Sequence, residues 1–195
     1  VNNSSAKAAV EIAVYDLFGQ IYNAPLYKLL GAYRDLLTSD LSISVNSPAE
    51  MKEDALKAVQ NGYQVLKLKV GMGLEEDLKR VRAVREAVGD EIKIRLDANQ
   101  GWQAKEAVYI IQKMEAENLK IELIEQPVEA SDYEALKFVR DNVLTPVMAD
   151  ESLFSAEDCL RLLKMQACDL INIKLMKAGG IYKALKINAL AEAQG

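Results

Sequence analysis

The sequence predicts an α/β fold, a TIM-type (β/α) barrel, and three observations predict it. Six short apolar runs alternate strictly with segments of helical periodicity, the pattern of a parallel sheet with outer helices. Charged residues close five of those runs in succession. Lys69, Asp97, Glu125, Asp150 and Lys174 follow one another at spacings of 28, 28, 25 and 24 residues, about the length of one βα unit. Finally, the glycine-rich phosphate loop expected after the first strand of a doubly wound sheet, the fold that would also satisfy the alternation, is absent. An open sheet gathers its ligand at one switch point, whereas a barrel brings the carboxyl ends of all its strands together. Five consecutive charged strand ends favour the barrel.

The elements follow in order. Val10, Ala13, Val14, Leu17 and Ile21 recur at helical spacing from Ser5 to about Ile21, and predict a helix packed against something larger. Asn23-Ala-Pro25 interrupts it before a turn that closes at Gly31. Residues 1–31 thus read as a helix leading into the barrel and 32–195 as a partial barrel domain. Leu41–Val45 alternates as a strand, and Ser47-Pro-Ala-Glu50 then opens a helix, with Ser47 as N-cap, Pro48 at the first helical position and Glu50 completing a capping box. That helix runs from Met51 to Gln60 and ends at Asn61-Gly62. The same grammar predicts strands at 65–70, 92–97, 121–125 and 146–150, with helices at 75–88, 103–117, 131–141 and 155–166. A strand at 170–175 and a helix from about 180 to 194 close the pattern. A complete barrel takes ~250 residues, so the 195 present, beginning at Val1, are expected to be a fragment of six βα units.

Composition excludes several functions. A net charge of −5, with Lys and Arg dispersed, gives no nucleic-acid surface and no anionic-membrane patch. No apolar stretch approaches the ~20 residues of a membrane span, and no signal peptide opens the chain. Cys159 and Cys168 are too few for a disulfide framework and read as reduced, buried thiols of a cytoplasmic protein. The chain has no His, so acid–base work falls to Lys, Asp, Glu or Tyr.

Asp97, Glu125 and Asp150 offer three hard oxygen donors from neighbouring strands, a set that suits Mg²⁺. Each alone could be a helix cap, but three at one barrel level favour a metal. Lys67 and Lys69, two apart, share a side of their strand with Val65, while Leu66, Leu68 and Val70 need the cover of helices. Inward lysines are costly without partners or work. Two amines, Lys69 and Lys174, bracketing a metal is the arrangement a 1,1-proton transfer needs, one taking a proton from a carbon and the other returning it to the opposite face. Lys67 is better cast as an electrostatic helper.

These residues resemble the enolase superfamily, in particular its muconate-lactonizing subgroup. The resemblance lies in the Lys67-Leu-Lys69 strand, Asp97 in Leu-Asp-Ala-Asn-Gln-Gly-Trp, Glu125 in Ile-Glu-Gln-Pro, Asp150 in Ala-Asp-Glu-Ser, and Lys174 in Asn-Ile-Lys-Leu-Met-Lys-Ala-Gly-Gly. It implies an enediolate intermediate next to a substrate carboxylate, with Mg²⁺ as cofactor. Within the subgroup the text is most similar to the dipeptide epimerases, through Lys7–Glu11, Ser44–Pro48 and Leu170–Gly179. That implies a small-molecule carboxylate substrate, a dipeptide such as L-Ala-D/L-Glu, and a role in murein peptide metabolism. Ser42 stands where such epimerases carry a hydroxyl near the substrate carboxylate, an ordinary strand serine being the alternative. The family's capping domain and last two strands are expected to be missing. N-acylamino acid racemases, o-succinylbenzoate synthases and muconate cycloisomerases share much of this text and stand as alternatives. A non-catalytic alternative is an inactive partial barrel whose unpaired strand edges drive association, and a homo-oligomer is expected.

Overall fold

Strand and helix alternate along the chain in the order that the periodicity predicts. The computed structural model describes residues 3–32 and 34–195; Val1, where the predicted 1–31 segment opens, lies outside them. In chain order the elements are α1 (Ser4–Ile21), α2 (Leu26–Leu29), β1 (Leu41–Ile43), α3 (Pro48–Gln60), β2 (Val65–Lys69), α4 (Leu74–Val88), β3 (Lys93–Asp97), α5 (Ala104–Ala116), β4 (Ile121–Glu125), α6 (Tyr133–Asn142), β5 (Val147–Ala149), α7 (Ala156–Met165), β6 (Leu170–Ile171), α8 (Leu175–Ala178) and α9 (Ile181–Gln194). They fall into two units. One comprises Thr38–Ser152 with Lys164–Ile171, and the other the chain up to Leu37, Leu153–Leu163 and Asn172–Gly195.

The first unit holds the sheet. Its strands pair parallel in the order β1-β2-β3-β4-β5-β6. Sequential order is that of a barrel, whereas a doubly wound sheet reverses at its switch point. Alternate side chains of β2 to β5 make one apolar layer: Leu66, Leu68, Ile94, Leu96, Ile124, Val147 and Ala149 are all fully buried. The helices bring matching stripes, Leu78, Val81 and Val84 on α4 and Ala107, Ile110, Ile111 and Met114 on α5, buried at the spacings of one helical face. Burying each large side chain stabilises the fold by roughly 1.5–3 kcal/mol. The capping box of α3 forms as the sequence predicts, Glu50 N donating to Ser47 Oγ at 3.3 Å and Ser47 N to Glu50 Oε2 at 3.2 Å.

The opposite face of the sheet is polar. A register shift between Ile94 and Arg95 lets Glu122 reach the β3 cations. Arg95 Nε donates to Glu122 Oε2 at 2.6 Å, Lys93 Nζ to Glu122 Oε1 at 2.7 Å, and Arg95 Nη1 to Asp40 Oδ2 at 3.0 Å. Partial burial works to raise the Glu122 pKa, but the bonds from Lys93 and Arg95 outweigh it and hold the carboxyl below its ordinary 4.5. A lowered folded-state pKa means stabilisation that is present above the unfolded value and lost as pH falls through the folded one. Glu122→Gln should therefore cost about 1 kcal/mol at pH 7. In urea denaturation the gap from the parent should close as pH falls through the lowered folded-state pKa of Glu122; a gap independent of pH would show the charge to be idle.

In the second unit the structure departs from the sequence reading twice. The face of α1 expected to pack is exposed: Val10 is 68 %, Val14 61 %, Leu17 55 % and Ile21 69 % accessible, and Ala8 and Gly19 are the buried residues. Small side chains allow close approach, and α1 packs on α8 with Ser4 Cβ against Gly179. The predicted strand 170–175 is a strand only at Leu170–Ile171, and the chain turns into α8. Helix-forming Leu175–Ala178 is closed by Gly179 in the left-handed region (φ 85°, ψ 29°), and Gly179 N and Gly180 N both donate to Leu175 O. Cys159 and Cys168 are free thiols as expected, but Cys168 is only half-buried. Burial pushes the Cys159 thiol pKa up.

Candidate active site

Sheet register aligns most of the predicted set. Lys69, Asp97, Glu125 and Met148 occupy one row across β2, β3, β4 and β5, and Ser42, Lys67 and Arg95 occupy a row one step below. Because i and i+2 share a face, both rows project to the polar side. Asp150 follows Met148 by two residues on the chain, beyond the end of β5. Ser42 is exposed beside Lys67.

The carboxylates are inside: Asp97 is 0 %, Glu125 2 % and Asp150 1 % exposed. Buried anions need compensation, and for Asp97 and Glu125 two ammonium groups supply it. Lys67 Nζ lies 3.1 Å from Glu125 Oε2 and 3.2 Å from Asp97 Oδ2, and Lys69 Nζ lies 2.7 Å from Asp97 Oδ2. Burial acts to lower the Lys67 pKa, but Glu125 and then Asp97 outweigh it, so that ammonium is held above the ordinary lysine value. It is a fixed positive charge. Lys69 has a second partner, Asn99 Oδ1 at 2.7 Å, and the Asn99 amide in turn donates to Glu151 Oε1 at 3.0 Å. Lys174, the fifth residue of the set, belongs to the second unit, where it is the N-cap residue of α8 with extended backbone (φ −107°, ψ 123°).

Behind the β2 and β3 ends sits Asp77, fully buried on α4. Its Oδ2 accepts from Gly71 N at 2.9 Å, Met72 N at 3.1 Å, Gly73 N at 3.2 Å and Trp102 Nε1 at 3.2 Å, while Oδ1 holds Arg80 Nη1 at 2.9 Å. The loops after Lys69 and Asp97 are thereby fastened to one carboxylate. They also interlock directly, for a Cβ on Gly71 (φ +97°) would collide with Ala98 O and one on Gly101 with Gly71 O. Sequence reasoning assigned no role to Asp77, Asn99, Gln126 or Glu151. Asn99 and Gln126 lie inside the quoted motifs, and both take left-handed backbone (φ 42° and 38°) that only the folded chain reveals; Asp77 looks like a first-turn acidic residue of an amphipathic helix.

The donor chemistry fits a hard divalent cation. Three buried carboxylates at the ends of adjacent strands are the oxygen-only set that Mg²⁺ takes. Among the described residues no three such groups are arranged to hold a metal as they stand, and in this structure Lys67 and Lys69 lie against Asp97 and Glu125.

A parallel sheet in barrel order, with carboxylates and lysines gathered at successive strand ends, defines the class of α/β barrels that work at that end of the sheet. Residues 50–195 match the family model described as enolase C-terminal domain-like, residues 1–31 match that of the mandelate racemase / muconate lactonizing enzyme N-terminal domain, and the chain belongs to this enolase-like family. It is the family that the Lys67-Leu-Lys69 and Asp97-to-Lys174 motifs resemble. The chain is 60 % identical over 195 residues to the L-Ala-D/L-Glu epimerase of Clostridium acetobutylicum, a match covering 100 % of this chain and 54 % of that one. Among solved structures, it superposes on the substrate-liganded L-Ala-D/L-Glu epimerase from Bacillus subtilis with a TM-score of 0.98 at 53 % identity, covering 100 % of this chain and 55 % of that one. The dipeptide epimerase from Enterococcus faecalis complexed with Mg and the dipeptide L-Leu-L-Tyr gives 0.96 at 50 % identity, covering 99 % and 54 %. The chain spans about half the length of the curated relatives it matches.

Proposed function

We propose that the protein of which this chain is part is a Mg²⁺-dependent dipeptide epimerase that inverts the carbon next to a carboxylate, with L-Ala-D/L-Glu as its substrate. The observation that carries this is Lys69 bonded to Asp97 and flanked by Glu125 and Lys67 at one end of a parallel sheet, in a chain so similar to epimerases of that specificity. Asp97, Glu125 and Asp150 would hold the metal, which supplies positive charge against the carboxylate charge that grows when the α-proton leaves. Lys69 and Lys174 are the two amines of the 1,1-proton transfer. One takes the α-proton and the other delivers one to the opposite face, so the substrate loses and gains one proton, and exchange with solvent returns the two amines to their starting protonation states. Lys67 is the electrostatic helper, a positive charge set against Asp97 and Glu125, and Ser42 offers a hydroxyl beside it. Residues 1–31 act as a lead-in to the barrel of 32–195. A homo-oligomer in the cytoplasm, serving murein peptide metabolism, completes the reading; among the described residues no helix is long and apolar enough to cross a membrane.

The test is proton NMR of the full-length protein with L-Ala-L-Glu and Mg²⁺ in D₂O. Loss of the Glu α-proton with appearance of the L,D diastereomer is the expected result. No exchange on the dipeptide, but exchange on an N-acylamino acid, would replace the substrate while keeping the proton transfer.

A further inference from the structure

We infer that Gln126 is a positioning residue that sets the Asp150 backbone against the Glu125 strand end, and so the spacing of the oxygen donors. The inference rests on the metal-dependent reading above. Gln126 is fully buried directly after Glu125, and a carboxamide offers two donor hydrogens and an acceptor oxygen with two lone pairs. All four are used. Its Oε1 accepts from Asp150 N at 2.9 Å and Ser152 N at 3.1 Å, while its Nε2 donates to Val128 O at 3.0 Å and to Ser152 Oγ at 2.8 Å. Ser152 Oγ passes its own hydrogen to Ala130 O at 2.8 Å, so the orientation of the amide is dictated: two N–H groups face one end and a carbonyl faces the other.

The main chain of the same residue completes the junction. Gln126 N donates to Met148 O at 2.9 Å, and Gln126 O accepts from Gln100 N at 2.8 Å, beside the bond from Ala98 N to Glu125 O at 3.1 Å. The ends of β3, β4 and β5, which lead into or carry Asp97, Glu125 and Asp150, are joined through this one residue. Its left-handed backbone, φ 38°, is unfavourable for a side chain of this size, and the saturated hydrogen bonding offsets that strain. Neutrality matters too. A glutamate here would set an oxygen against Val128 O and add an anion to a neighbourhood already holding three buried carboxylates. Groups that orient metal ligands typically change metal affinity by about 10–100-fold when removed.

The experiment uses the full-length protein and Mg²⁺ alone as probe, with the Gln126→Met and Ser152→Ala variants. Calorimetric titration gives the Mg²⁺ affinity, hydrogen–deuterium exchange without metal reports the amides of residues 150–152, and thermal unfolding reports the fold. Gln126→Met should weaken Mg²⁺ binding about tenfold or more and accelerate exchange locally at 150–152. Ser152→Ala, which removes one of the four bonds, should move both readouts the same way by a smaller factor, about threefold. A folded Gln126→Met that binds Mg²⁺ like the parent overturns the inference even if its melting temperature drops, because a residue with only a structural role would behave so. If Gln126→Met does not fold, Ser152→Ala decides, and parental affinity there overturns it. A parent that binds no Mg²⁺ overturns the metal-dependent function itself, and this inference with it.

Discussion

Replacing Lys69 by alanine in the full-length protein should lower the rate of L,L to L,D interconversion by roughly 10²–10⁴-fold, the range typical of a lost general acid–base group. Lys174→Ala should do the same. The fold should tolerate the first change, because Asp97 keeps Lys67 at 3.2 Å and the Asn99 backbone N–H at 3.1 Å. Each single variant retains one amine, so either can still wash deuterium into one diastereomer without producing the other. The measurement is NMR in D₂O with each pure diastereomer as starting material, scored separately for α-proton loss and for epimer formation. One-sided exchange, with opposite preference in the two variants, assigns each lysine to its stereoisomer. Two-way epimerisation by both variants at parental rate would remove the lysines from the mechanism.

Lys67, Lys69, Asp97 and Glu125 were legible in the sequence for a definite reason. In a strand with one face under helices, fully buried Leu66, Leu68, Ile94 and Leu96 fix the outer face, and period-two alternation leaves the charged residues no other direction. Register then followed from strand-end position, and Asp97 and Glu125 do pair in register. That Asp150 lies past the end of its strand was not legible, because β5 stops at Ala149 and the following turn is shaped by Gln126. Partners of that kind are backbone groups of irregular loops, and backbone groups leave no mark on composition or periodicity. Lys174 was placed on a strand because Leu170-Ile-Asn-Ile-Lys-Leu175 reads as one; the left-handed Gly179 that closes α8 lies outside that window. The apolar face of α1 was legible as apolar, but it is small Ala8 and Gly19, not Val10 or Leu17, that are buried.

Asp77→Ala should cost about 3–5 kcal/mol of stability, the range for stripping a buried charged group from its partners. Alanine leaves Gly71 N, Met72 N, Gly73 N and Trp102 Nε1 without their acceptor and Arg80 without its carboxylate. Each stranded donor costs about 1–3 kcal/mol, but the loops can partly open to water, so the total falls short of the sum. Asn separates the charge from the hydrogen bonding. All four N–H donors converge on Oδ2, so an asparagine whose oxygen takes that place preserves them and turns its NH₂ toward Arg80 alone. Asp77→Asn should accordingly cost about 1.5–3 kcal/mol, the worth of a hydrogen bond to a charged group. Trp102 is the one tryptophan of the chain and is buried, so its fluorescence in urea denaturation reports directly on the loop that Asp77 holds. Opening of that loop in Asp77→Ala should appear as a red-shifted native baseline before the main transition, with Asp77→Asn unshifted. Because the same carboxylate fastens the residues that follow Lys69, Asp77→Ala should also lose the proposed epimerase activity under conditions where it remains folded. Equal stability losses in the two variants would show that Asp77 acts through its charge on Arg80, and that the four N–H bonds contribute nothing to holding the strand ends in place.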